Sequence, residues 1–194
     1  MHVAKSGLRV LGIAESYSGR ERSTLAGVVM RKDLLIDGVA FAPVTVGGSD
    51  ATDAVIRVFT GLAREDINLI MISGSVIAWY NIIDPVAVQE ATGLPVIITT
   101  YEESEGLEED IRRHFPGDVE RLAAYRRLGE RIPVRLHSGY ALFIRPYGLS
   151  FKDAARLCND FTREGKVPEP IRVARLIARG LVRSSRSTPD DHDR

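Results

Sequence analysis

Two stretches, INLIMIS at 67–73 and PVIITT at 95–100, are apolar without alternation, the pattern of strands covered on both faces. Between them, Asp84 followed by Pro85 has the chemistry of a helix start, and Gly93 that of a helix end. A strand, a helix and a second buried strand form a parallel pair, so this unit commits the chain to a sheet with helices packed on it. The first run, which stops at Ser73-Gly74, is the expected centre of that sheet.

The opening third follows another pattern. LRVLGIA at 8–14, TLAGVVMR at 24–31 and LLIDGVAFAPVTV at 34–46 read as strands in series, with a turn at Lys32-Asp33, and predict an antiparallel meander. GGSDATDAVIRVFTGL then reads as an amphipathic helix with Ser49 or Asp50 as its cap and Asp53 in its first turn. Charged helices are expected over about 105–115 and 118–128, and a strand pair over 134–136 and 140–145 around His137-Ser138-Gly139. Ser150, with Asp153 three residues on, caps a further helix, and a last one follows Pro168-Glu169-Pro170. The predicted fold class is α/β: a ribonuclease H-like mixed sheet, a three-strand meander followed by parallel strands, flanked by helices. A flavodoxin-like sheet is the alternative, and the consecutive opening strands argue against it.

With 194 residues, 44% of them hydrophobic, one domain over 1–183 is expected, followed by a polar flexible tail at 184–194. The 26 basic and 26 acidic residues cancel, so attraction to nucleic acid requires a local patch. Cys158, the single cysteine, excludes an internal disulfide and a cysteine-rich zinc site, and it suits the reducing cytoplasm. No run reaches the roughly 18 apolar residues of a membrane span.

Chemistry concentrates at strand ends. Glu15 and Ser16 follow the first strand, Asp50 and Asp53 open a helix, and Ser73-Gly74 close the central strand. Carboxylates gathered at such ends hold divalent ions, which makes Glu15, Asp50 and Asp53 the catalytic candidates and Glu15 and Asp50 the ligands for Mg or Mn. Ser16, Ser73, Gly74 and Asn81 complete a polar pocket. Against this, capping explains Asp50 and Asp84, and the helix dipole explains Asp53. No phosphate-loop motif occurs, and no Ser-His-Asp or Cys-His set can be read from spacing.

In IRVARLIARGLVRSSR, the residues Arg172, Arg175, Arg179, Arg183 and Arg186 fall within a stripe roughly 80° wide, opposite Ile171, Ala174, Ile177, Ala178, Leu181 and Val182. A row of guanidinium groups suits phosphates, so Arg175, Arg179 and Arg183 are candidates for binding RNA or DNA. A solvated helix face is the competing reading.

RVLGIAES, VTVGGSDATDAV, LIMISGSVIAWYNIIDP, TGLPVIITT and PEPIRVARLIARGL, in this order, resemble the archaeal endonuclease V-like family of uncharacterised proteins, distantly similar to endonuclease V. The resemblance implies a ribonuclease H-like fold and a metal-dependent enzyme cleaving near deaminated bases. Carried over residue by residue, the first acid of endonuclease V falls at Ala14, beside Glu15; the second falls between Asp50 and Asp53; the third falls at Ser73. Glu169 and Arg172 match the uncharacterised family's own PEPIR pattern, which implies a ligand-binding role for them. Three readings follow: a protein that binds nucleic acid or nucleotide with degenerate catalytic acids, a divergent Mg- or Mn-dependent nuclease, or a ligand- or protein-interaction module.

Overall fold

The structure, a computed structural model, describes residues 7–17, 21–103 and 106–186. Strands β1 (Arg9–Tyr17), β2 (Arg22–Arg31) and β3 (Ile36–Thr45) form the expected meander, and helix α1 (Ala51–Gly61) leads to the central strand β4 (Leu69–Ser73). A small hairpin, β5 (Val76–Ile77) and β6 (Asn81–Ile82), precedes α2 (Pro85–Thr92) and β7 (Val96–Thr100). Then come α3 (Glu108–His114), α4 (Val119–Arg127), the antiparallel pair β8 (Ile132–Arg135) and β9 (Ala141–Tyr147), α5 (Phe151–Asp160) and α6 (Glu169–Arg186).

The main sheet has the order β3-β2-β1-β4-β7-β9-β8, with β1, β4 and β7 parallel and the outer pairs antiparallel. This is the mixed sheet anticipated from the element order. Asp84 caps α2 by accepting from the Val86 and Ala87 N–H groups, and Gly93 ends it at φ +68°. Ser150 caps α5 through the Asp153 N–H. α6 continues to Arg186, three residues into the segment expected as a tail, and 187–194 lie outside the described residues. Among the described residues no helix is long and apolar enough to cross a membrane.

Alternation along the strands makes two cores. Val10, Ala14, Met71, Ile97, Leu157, Phe161 and Ala174 lie on the α5/α6 side; Leu11, Ile13, Ile70, Ile72, Val55, Val58 and Val88 lie on the α1/α2 side. Each large aliphatic side chain buried this way contributes roughly 1.5–3 kcal/mol. Cys158 belongs to the first core, where burial pushes its thiol up to about 12.

The first strand and the last helix approach each other closely. Gly12 faces the α6 side of β1, and a methyl group there would stand 2.3 Å from the Pro170 carbonyl carbon. Only a missing side chain lets α6 lie this low over β1.

β1 also runs further than its sequence suggests. Its pairing with β4 stops at Ile13 opposite Ile72, yet the ladder with β2 continues through Glu15–Leu25, Ser16–Thr24 and Tyr17–Ser23. Hydrogen bonds from one neighbour suffice to hold those residues extended. The end expected after Ala14 is therefore displaced to Tyr17.

Candidate functional site

Because β1, β4 and β7 are parallel, their C-terminal ends share one edge of the sheet, where open α/β sheets place their ligand crevices. The sequence-predicted residues fall into three groups on that edge and its flanks.

The first surrounds Glu15. Since β1 is still extended there, Glu15 points to the α1 face while Ala14 packs on the α6 side. Its carboxylate accepts from the Ser23 hydroxyl, which also bonds the Ser16 carbonyl, and from the Ala78 backbone N–H. Burial raises its pKa above the ordinary carboxylate range, more strongly than the Ser23 and Ala78 bonds lower it. A native state holding this proton to higher pH than the unfolded chain loses stability as pH rises past about 4.3. Replacing Glu15 with Gln keeps the acceptor for Ser23 and removes the half-buried charge. Thermal unfolding should therefore show E15Q melting a few degrees above the parent protein at pH 7, with the gap closing below about pH 4.

The second group is built around Asn81. Asp50 occupies the cap position of α1, but its carboxylate turns back to the Thr45 N–H (3.1 and 3.2 Å) and hydroxyl (2.9 Å). Capping is done from 30 residues away. The fully buried Asn81 accepts from the Ala51 N–H at 3.0 Å and donates to Asp50 at 2.7 Å and to the Thr45 carbonyl at 2.9 Å. The chain reversal between β3 and α1 leaves Thr45 closer to the Asp50 carboxylate than the helix N–H groups, which corrects the capping expectation. Burial works to raise the Asp50 pKa, but the Asn81 and Thr45 bonds outweigh it and the net shift is downward. Asp53 is exposed on the first turn of α1.

The third group is a cleft of about 410 Å³ where β4 and β7 end. Ser73 and Gly74 form its floor, and the Gly74 N–H reaches the Thr99 carbonyl at 2.8 Å with φ at +78°, a backbone that favours glycine. Arg175 turns inward from the predicted stripe: its Nη2 donates to Ser73 Oγ at 2.8 Å and its guanidinium lies 5.3 Å from the Tyr101 ring centre. Arg131, Arg145 and Lys166 also line the cleft, giving, among the described residues, four basic side chains against the single carboxylate of Glu102. Lys166 bonds the Tyr101 carbonyl at 2.8 Å and Glu102 at 2.7 Å. Burial, with Arg131 nearby, pushes Arg145 below the usual guanidinium range. Thr100 Oγ1 is buried in the same wall with no hydrogen-bond partner among the described residues. Clustered cations are complementary to an anion that brings its own acceptors.

The rest of the stripe separates. Arg172 pairs with Glu169, Nε to Oε2 at 2.8 Å, away from the strand ends and beside Arg163 and Glu164. Arg179 and Arg183 are exposed, and the Arg186 side chain lies outside the described residues. Of the predicted site residues, only Ser73, Gly74 and Arg175 share the cleft. Arg131, Arg145, Lys166, Thr100 and Tyr101 were not singled out; an arginine inside the apolar strand ALFIRPY was the one available sign.

The donor set for a divalent ion does not assemble. Among the described residues no three Asp, Glu, His or Cys side chains converge where they could hold one. Ala14 and Ser73, where the resemblance expects acids, each follow directly on the paired residues Ile13 and Ile72, and Ser73 carries a guanidinium on its oxygen. Glu15 and Asp50 are each engaged in their own networks.

Comparison with known proteins matches residues 6–182 to a family model described as endonuclease dU. A UPF0215 protein of Pyrobaculum calidifontis is 41% identical over 173 residues, covering 88% of this chain and 95% of that protein. Among solved structures, a protein of unknown function from Archaeoglobus fulgidus superposes with a TM-score of 0.76 at 24% identity, over 90% of this chain and 98% of the other. Endonuclease V of Ciona intestinalis, in complex with a 24mer DNA containing an inosine followed by a ribo-adenosine, gives 0.62 at 15% identity over 92% and 87%. The latter likeness establishes the fold.

Proposed function

The chain belongs to the endonuclease dU family, an archaeal endonuclease V-like family, and on that premise we propose that it binds nucleic acid by seating backbone phosphate in the cleft at the ends of β4 and β7. One observation carries the reading: four cationic side chains line the cleft together with the strand-end Ser73-Gly74. Arg175 and Arg145 supply fixed donors for phosphate oxygens, and Lys166 a further charge held beside Glu102. The DNA-bound Ciona enzyme shows that this fold is used on nucleic acid. With Ala14 and Ser73 in place of acids, binding is the activity that the geometry supports best.

Anisotropy titration of a labelled deoxyuridine-containing oligonucleotide tests it. Affinity should fall steeply between 50 and 200 mM salt, and Lys166→Ala should weaken it several-fold while reducing the slope of log K against log salt by about one. No binding at 50 mM salt would end this reading.

Strand cleavage is the second reading, favoured by the family description and by the half-buried Glu15 carboxylate with its raised pKa at the same edge. Incubating the same oligonucleotide with Mg, with Mn and with a chelator, for the parent protein and E15Q, decides it. Products that E15Q fails to make would support cleavage; an intact strand under every condition would leave binding alone.

A further inference from the structure

The segment joining β5 to β6 holds three successive non-glycine residues in the left-handed region, Ala78, Trp79 and Tyr80, at φ +40°, +60° and +60°. Such conformations cost free energy at each residue and persist only where the surroundings over-determine them. Here they are clamped. The Ala78 carbonyl accepts from the Gly47 N–H at 2.7 Å, and the Ala78 N–H reaches Glu15. Arg121 donates to the Tyr80 carbonyl and to the carbonyls of Gly47 and Gly48, each of the latter at 3.0 Å, and lies 4.0 Å over the Phe115 ring.

The outcome of this clamping is that the largest side chain in the loop stays in water. Trp79 is 53% exposed although its ring meets Tyr80 at 5.4 Å and His114 at 4.8 Å between centroids, and Tyr80 in turn stacks on His114. Two rings brace the tryptophan and leave it an outer surface. A loop relaxed for burial would hide an indole; this one holds it rigid and open.

Two elements connect this indole with the cationic cleft. The loop is the continuation of Gly74-Ser75-Val76 from the cleft floor, and α3 follows Leu107 of the cleft wall and ends on His114. Seven residues of helix separate Leu107 from His114, about 10 Å, the rise of about three stacked nucleotides. A charged channel followed by an aromatic face is the arrangement that holds single-stranded nucleic acid, phosphate on cation and base on ring.

We propose that Trp79, braced by His114 and Tyr80, is a stacking platform for an unpaired nucleobase of the strand whose phosphates occupy the cleft. The inference rests on the nucleic-acid reading above and adds a second, base-contacting station to it.

Trp79 is the only tryptophan, so its emission reports this one site. The full chain would be titrated with a single-stranded oligonucleotide and with an abasic oligomer of the same length, which keeps the phosphates and lacks the rings. Expected are quenching of Trp79 by the first only, and, by anisotropy, about a tenfold loss of affinity in Trp79→Ala with most of it retained in Trp79→Phe. The same loss is not expected for the abasic oligomer. If the base-bearing strand binds with Trp79 unquenched and W79A unaffected, the platform is overturned while phosphate binding stands, and the exposed indole is left to a protein partner. If neither oligomer binds at low salt, both readings fall.

Discussion

Gly12→Ala should lower the melting temperature by about 10 °C. The added methyl would stand 2.3 Å from the Pro170 carbonyl carbon and 2.6 Å from both its oxygen and its Cβ, and two of those three atoms are backbone, so no rotamer relieves the overlap. Lifting the start of α6 from the sheet also loosens Ile171 and Ala174 from their core. Overpacking of this kind costs about 3 kcal/mol, which at 2–4 °C per kcal/mol for a chain of this size gives roughly that change. Calorimetry of G12A checks it, and a variant melting within about 2 °C of the parent would show that α6 is free to slide over β1.

Arg175→Ala should cost between tenfold and a hundredfold in affinity for an oligonucleotide at low salt, the worth of one charge-assisted hydrogen bond at about 1.5–3 kcal/mol. Arg179→Ala, one turn further along the same face, should cost less than threefold. The contrast follows from placement. Arg175 is half-buried, fixed on Ser73 and flanked by Tyr101, whereas Arg179 stands in solvent. Equal losses from the two would return the binding surface to the outer face of the helix. Ser73→Ala separates positioning from charge: it leaves the guanidinium in place without its anchor and should fall between the two.

The parts of the fold that depend on what lies on both sides of a strand were readable from the chain. INLIMIS and PVIITT can satisfy their side chains only when covered twice, and Asp84-Pro85 and Gly93 carry their caps within a few residues. The true end of β1 was not readable, because Glu15, Ser16 and Tyr17 are held extended by β2, a partner that local composition does not name. Asn81 shows the same limit. Its neighbours suggest nothing of a role at α1, and only the packed fold brings its amide to Ala51 and Asp50. Periodicity found the arginines of α6, but a helical wheel cannot tell an outward guanidinium from one that reaches over the sheet edge to Ser73. The cleft itself draws on β4, β7, β9, the β7–α3 loop and α6, so no single segment advertised it.

The seam between β1 and α6 also sets a timetable. Its two faces, Gly12 and Pro170, are 158 positions apart, so during synthesis the meander and central strands leave the ribosome well before the helix that covers them. Until then Val10, Ala14 and Met71 have no lid, and Ser73 has no arginine. A nascent chain halted before residue 170 would expose that sheet face to chaperones and neighbouring chains, and it would lack Arg175, one of the cleft's four cations. The cleft is therefore completed by the last helix, in the same step that seals the core.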